Sequence, residues 1–261
     1  MKIEARAISP GRAEAKVLVS NAPFSFVGGA DSSSGVVLDE STGHTGESLR
    51  DHVFAFPHGK GSTVGSYVLY GLVKKGVGPS AIVNARAEAI VATGAILAEI
   101  PMVDRVDIKG LQTGDRVIVD GSRGSLELPD LQARYIVTAV LRNRGRILIV
   151  RRSKAVGTFQ GRWSAISGYV EDRESPERRA RQEVREETGI RSSVLRASRP
   201  PILVRQDSLV YVVHPFLFDV SSPRVRLDWE NTAHRWIRPA ELGRYNTVPR
   251  LADAVTSVLA S

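Results

Sequence analysis

The 261-residue chain contains no cysteine. That absence excludes disulfides, a cysteine nucleophile, Cys-ligated zinc and an iron–sulfur cluster held by the chain's own thiolates. No apolar run approaches the ~18 residues of a membrane-crossing helix. The start, Met1-Lys2-Ile3-Glu4-Ala5-Arg6, lacks the apolar stretch of a signal peptide. A cytoplasmic protein with no membrane partner is therefore expected. Internal repeats and low-complexity tracts are missing too, which argues against a solenoid or a disordered tail. The five histidines show no metal-ligand spacing, so most are read as structural. His58 alone sits beside a motif worth testing.

What is present is ordinary globular material, with 42% apolar and 25% charged residues. At ~100–150 residues per domain the length suits two domains. The charge divides the same way. Residues 1–128 carry 13 Lys+Arg against 14 Asp+Glu, and residues 129–261 carry 23 against 14. A neutral half followed by a basic half suggests two modules with different ligands. Pro129 interrupts the pattern, so the expected division is a first domain at 1–128, a linker at 129–133 and a second domain at 134–261.

In the first half, strands are expected at 2–8, 14–20, 23–29, 35–39, 52–56, 81–84, 117–120 and 125–128. Helices are expected at 66–75 and 94–99. A glycine-rich loop, Pro57-His58-Gly59-Lys60-Gly61-Ser62-Thr63-Val64-Gly65, joins strand 52–56 to helix 66–75. Strand, loop and helix in that order aim backbone N–H groups at one point, which favours anions. The spacing is not that of a nucleotide P-loop, because Gly61 separates Lys60 from Ser62 and Phe54 stands where its first glycine belongs. Spacing alone also allows a plainer role, with Ser62 merely capping the helix.

Several segments of this half resemble the small subunit of the aconitase X family, in order. They are Pro23-Phe24-Ser25-Phe26-Val27-Gly28-Gly29, Gly43-His44-Thr45-Gly46-Glu47-Ser48, and Gly59 to Ser66. Gly94 to Pro101 and Thr113-Gly114-Asp115-Arg116-Val117 complete the likeness. The resemblance implies a swivelling β/β/α domain working with a large partner subunit as a heterodimer. In archaea the small subunit of this family belongs to phosphomevalonate dehydratase, in the mevalonate pathway; a sister branch dehydrates hydroxyproline. It further implies Ser62 as proton acceptor, with Lys60 and the helix N-terminus as stabilisers. Gly59, Gly61, Thr63, Gly65 and Ser66 are then expected to contact a small phosphorylated substrate. With no cysteine here, the [4Fe-4S] cluster of such an enzyme falls to the partner large subunit.

The second half reads as strands at 135–141, 146–150, 194–204 and 209–220, with helices at 175–188 and 252–259. Glu183, Glu186 and Glu187 stand at i, i+3 and i+4, so three carboxylates share one helix face. Close like charges invite a hard cation, Mg²⁺ or Mn²⁺, although a solvated helix with an Arg179–Glu183 pair would give the same spacing. Gly168-x5-Glu174-x7-Gln182-Glu183-Val184-Arg185-Glu186-Glu187-Thr188-Gly189-Ile190 resembles a Nudix box. That likeness implies an α/β/α sandwich, metal ligation by Glu174, Glu183, Glu186 and Glu187, a catalytic part for Glu183, and hydrolysis of a nucleoside or prenyl diphosphate. Gln182 stands where the family has arginine. Arg181 and Arg185 lie about 100° and 300° away around the helix, so neither substitutes directly.

Glu230 is a candidate further acid. Trp163, Trp229 and Trp236 are read as core or pocket-lining groups. The arginines of 173–185 are read as solvated or phosphate-steering, with no nucleic-acid partner. The family's isopentenyl diphosphate isomerase needs a catalytic cysteine and is excluded. The fold class expected is α/β, a swivelling β/β/α domain followed by a Nudix sandwich. Two other readings stay open: mainly a metal-dependent diphosphate hydrolase, or a dehydratase subunit with a non-catalytic regulatory Nudix domain.

Overall fold

His52–Phe56 and Ala81–Asn84 are almost wholly apolar without alternation, the pattern of strands covered on both faces. In the computed structural model, which describes residues 1–171 and 174–260, both strands are interior strands of one eight-stranded sheet. The chain divides into two units, Met1–Gln132 and Ala133–Ser261.

The strands of the first unit are β1 (Lys2–Glu4), β2 (Arg6–Ser9), β3 (Arg12–Val19), β4 (His52–Phe56), β5 (Ala81–Asn84), β6 (Met102–Asp104), β7 (Arg116–Asp120) and β8 (Ser125–Glu127). Their order is β1-β8-β7-β3-β4-β5-β6-β2. Strands β3 to β6 pair in parallel, and antiparallel strands flank them on both sides. β1 and β2 occupy opposite ends of this order, yet only Ala5 separates them. The sheet therefore curls until its edges meet, and the Ala5 N–H donates to the carbonyl of Gly124. Helices α2 (Val64–Lys74) and α3 (Ala89–Ala98) pack together beside it, and α1 (Phe26–Gly29) is a short kinked turn. Gly94 permits the close helix approach, because a Cβ there would lie 3.1 Å from the Ser66 Cα. Phe24, Phe26, Phe54 and Phe56 are fully buried and meet largely edge to face, with Phe24 and Phe54 ring centres 4.9 Å apart.

Segments 23–29 and 35–39 form isolated bridges and turns rather than the expected strands. Gly28 and Gly35 adopt φ of +74° and +72°, and a side chain at Gly35 would strike the Val77 carbonyl at 1.9 Å. The second helix starts at Ala89, earlier than expected, because the Glu88 carboxylate caps the N–H groups of Ile90 and Val91.

The second unit contains β9 (Gln132–Asn143), β10 (Arg146–Arg152), β11 (Trp163–Ser164), β12 (Ile166–Tyr169), β13 (Ser193–Ser198), β14 (Ile202–Gln206), β15 (Leu209–Val220) and β16 (Asn231–Ile237), with helices α4 (Pro176–Thr188) and α5 (Leu251–Leu259). Its pairings are antiparallel. Apolar residues on alternate positions feed two cores. Leu148, Val150, Phe216 and Phe218 pack with Ala180 and Val184 of α4. Ile147, Ile149 and Leu217 pack with Leu251, Val255 and Val258 of α5. The sheet is thus sandwiched between helices. The expected strand at 194–204 is broken by Pro200 and Pro201 into β13 and β14, and β16 was not anticipated.

Candidate functional site

The serine loop is held by contacts that leave Ser62 itself outside. Gly59 is buried and bridged to Phe24, and the Lys60 N–H donates to the Phe24 carbonyl. A Cβ on Gly59 would sit 2.3 Å from Glu88 Oε1, so the glycine nests the loop on the cap of α3. Gly61, at φ +109°, turns the chain beside the Ser25 hydroxyl. Ser62 is exposed, and its carbonyl accepts the Gly65 N–H. Thr63 is the N-cap residue and its side chain makes no capping hydrogen bond. Among the described residues, no acceptor meets the N–H groups of Ser62, Thr63 and Val64. The positive end of α2 therefore opens to solvent around the Ser62 hydroxyl.

Supports for this loop lie deeper. Asp104 is buried and bound by Arg6 Nε and Nη2 at 2.8 and 2.7 Å, and it accepts the Ala87 N–H at 2.8 Å. Burial alone would raise its pKa, but the guanidinium and the amide hold it below the usual carboxylate range. His44 is buried between Glu47 and the Val19 carbonyl. His58 Nδ1 lies 2.9 Å from the Gly59 carbonyl.

In the second unit α4 starts at the Ser175 cap and ends at Gly189, whose φ of +71° makes the left-handed terminus. Glu183 and Glu187 are buried, whereas Glu186 is exposed. Glu187 accepts the Ser167 N–H at 2.9 Å and Asn231 Nδ2 at 2.6 Å. Glu183 pairs with Arg179 one turn earlier, and Gln182 Nε2 donates to Glu186 at 2.8 Å. Gly168 admits Glu183, because a Cβ there would come within 1.7 Å of its carboxylate.

Burial pushes Glu183 up to about 7 against the pull of Arg179. It pushes Glu187 up to about 8, with the charges of Glu183 and Glu230 adding to the rise. Beside these groups opens a cavity of about 300 Å³. Its walls are largely apolar, including Ile136, Val204 and Val213. Arg152, Arg179, Glu183 and Glu230 stand at its polar side. Ser164 and Arg179 also line it, and the Ser164 hydroxyl and Arg179 Nε are buried without a hydrogen-bond partner.

The aconitase X swivel-domain family matches residues 2–128, and the Nudix domain matches residues 131–257. The phosphomevalonate dehydratase small subunit of Pyrococcus furiosus is 51% identical over 128 residues, 49% of this chain and 96% of that protein. Its Methanocaldococcus jannaschii counterpart is 49% identical, over 98% of its length. The chain belongs to the aconitase X small-subunit family, with a Nudix domain fused behind it. The crystal structure of Thermococcus kodakaraensis aconitase X in its holo form is 48% identical, with a TM-score of 0.48, covering 49% of this chain and 98% of that one. A MutT protein from Methanosarcina mazei is 26% identical, with a TM-score of 0.43, over 49% of this chain and 93% of its own.

Within the aconitase X unit, Gly61, Ser62 and Thr63 share the exposed turn, with Gly59 buried at its base. Lys60 does not join them, because its Nζ lies 3.2 Å from Asp39. Ser66 is buried and stands apart from this turn. Its hydroxyl is turned inward to the Ile90 carbonyl at 2.8 Å, and Gly65 packs against Ile90. Both therefore join α2 to α3.

Within the Nudix unit the helix does bring Glu183, Glu186 and Glu187 to one region. Among the described residues, however, no three acidic side chains converge as a ready metal set. Each is engaged by a different neighbour. Glu174 precedes the Ser175 cap, its N–H bonded to the Glu171 carbonyl. Residues 172 and 173 lie outside the described residues, and with them Arg173 of the arginine-rich face. The residues that sequence reasoning missed are Arg152 and Asn231. Arg179 appeared there only as a surface partner, yet it supplies the charge that Gln182 lacks.

Proposed function

We propose that the chain is the small subunit of a hydro-lyase that dehydrates (R)-5-phosphomevalonate to trans-anhydromevalonate 5-phosphate. The observation that carries this is the extended likeness to named small subunits, over 96–98% of their length, joined to an open serine loop at a helix N-terminus. Loss of water requires a base for the proton alpha to the carboxylate and an acceptor for hydroxide on the next carbon. Ser62 is assigned the proton. Its alkoxide would be held by the free N–H groups of Thr63 and Val64 and by the α2 dipole. Lys60 acts from farther off, fixing the loop through Asp39.

This chain has no thiolate for a cluster, so the large partner subunit is assigned the [4Fe-4S] cluster, which supplies a Lewis acid for the leaving hydroxyl. Assembly with that subunit gives the test. Ser62→Ala should still assemble but lose ~10²–10⁴-fold in turnover. A near-normal rate in the assembled variant overturns the assignment.

The Nudix unit is proposed to be a diphosphate hydrolase using Mg²⁺ or Mn²⁺. Its donors are hard oxygens, and Glu183, Glu186, Glu187 and Glu230 outnumber the neighbouring Arg152 and Arg179. That chemistry fits a divalent cation. Glu183, Glu186 and Glu187 would hold it once Glu183 leaves Arg179 and Glu186 leaves Gln182, with Glu174 as a further ligand. The bound metal polarises the diphosphate for attack by water. Arg152 and Arg179 neutralise the phosphates, and Glu187 stays fixed by Ser167 and Asn231. Metal-dependent hydrolysis of a nucleoside or prenyl diphosphate, lost in Glu183→Gln, is the expected result, and no cleavage with either metal overturns it.

A further inference from the structure

Several arginines of the second unit are tied to carboxylates. Arg142 and Arg196 share Asp219, Arg181 holds Glu177, and Arg250 holds Asp253. Others have no such pair, and four of these come together. Arg185, Arg191, Arg224 and Arg226 are all exposed, and among the described residues no carboxylate pairs with any of them. Their grouping follows from the fold rather than from proximity in sequence. The segment after β15 crosses the end of α4, where the Arg226 N–H donates to the Thr188 carbonyl. Gly189 lets that crossing come close, since a Cβ there would stand 3.4 Å from the Arg226 Cβ.

The result is a second, shallow cavity lined by all four arginines together with Glu186, Thr188, Gly189 and Val225. Its single carboxylate, Glu186, already accepts from Gln182. Four guanidiniums around one concavity repel each other in the empty protein and gain from a multivalent anion. Glu186 also stands one helical turn from Glu183, which lines the apolar cavity. A chain of phosphates beginning at the carboxylates therefore has the arginines as its continuation.

We propose that Arg185, Arg191, Arg224 and Arg226 form an anion subsite for a linear polyphosphate of three or more phosphates. The subsite is defined by these arginines and does not depend on hydrolysis. Only its continuity with the carboxylate helix rests on the hydrolase reading.

Titration of the full chain with inorganic tripolyphosphate, in EDTA at low salt, tests it. Saturable binding is expected, weakening as salt rises. Arg185→Gln combined with Arg224→Gln should weaken it at least ~10-fold, as two charge-assisted contacts are lost. Arg196→Gln, at a paired arginine, should leave it within about twofold, since that charge is already engaged. No saturable binding, an undiminished affinity in the double variant, or an equal loss in Arg196→Gln overturns the proposal. A parallel titration with ATP separates the sources. Equal affinity assigns a free polyphosphate, and tighter ATP binding assigns the tail of a nucleotide. Saturable binding in EDTA with no turnover once Mg²⁺ or Mn²⁺ is restored would sink the hydrolase reading alone.

Discussion

Replacing Glu187 by glutamine should change how stability responds to pH, and the sign is fixed by burial. In the metal-free protein Glu187 is lifted from 4.5 to about 8. Between those values the folded chain keeps a proton that the unfolded chain has released. The unfolded state then binds fewer protons, so stability falls as pH rises. One such proton is worth about 1.4 kcal/mol per pH unit. From pH 5 to 7 Glu187 alone contributes a loss of roughly 3 kcal/mol. Glu183, lifted to about 7, adds to the fall over the lower part of that range.

All three tryptophans, Trp163, Trp229 and Trp236, lie in the second unit. Tryptophan fluorescence during urea unfolding of the full chain therefore reports that unit alone. In EDTA, wild type should lose stability steeply between pH 5 and 7, and Glu187→Gln should lose it less steeply by about one proton's worth. Saturating Mg²⁺ should flatten the wild-type slope, because ligation takes the ionised carboxylates and releases their protons. If the two proteins show the same slope in EDTA, or if wild type grows more stable over that range, the buried-carboxylate reasoning is refuted.

Three further outcomes are expected. Mg²⁺ at about 100 times its Kd should stabilise the second unit by ~2.7 kcal/mol, read as a rise in fluorescence-detected Tm, and Glu187→Gln should lose most of that rise. Gly168→Ala should cost ~1–3 kcal/mol by overpacking and abolish the metal response, since the new Cβ occupies the place of the Glu183 carboxylate; an unaltered response would show that Glu183 is no ligand. Glu88→Ala should cost ~1 kcal/mol as a lost cap and also lower turnover of the assembled dehydratase. Unchanged turnover would mean that the Gly59 nest does not position Ser62.

Local pattern made some parts legible and hid others. The unbroken apolar runs at His52–Phe56 and Ala81–Asn84 left no choice of element, and their bounds coincide with β4 and β5. The shared face of Glu183, Glu186 and Glu187 needed only helical periodicity. What the carboxylates touch was not local. Asn231 reaches Glu187 across 44 positions, from a strand whose polar sequence gave no strand signal. Ser66 shows another limit of local pattern. It stands in a motif-like row with Ser62, but the turn of the helix sends it inward to Ile90. Spacing alone cannot distinguish a hydroxyl that faces a ligand from one that fastens two helices.

The joining of the sheet's edges around Ala5 bears on when the first unit can fold. Among the described residues β1 pairs only with β8, where Lys2 stands opposite Glu127, and β2 only with β6. On a chain emerging from the ribosome, N-terminus first, β1 is made before β8 and must wait for nearly the last residues of that unit. Such long separations slow folding, because the loop must close before the contacts form. Until β8 appears, β7 lacks its outer neighbour and β1 has none. The unit should complete its fold in one late step, after Leu128 has left the exit tunnel. Substitutions in β8 should therefore slow the first unit's folding as well as destabilise it.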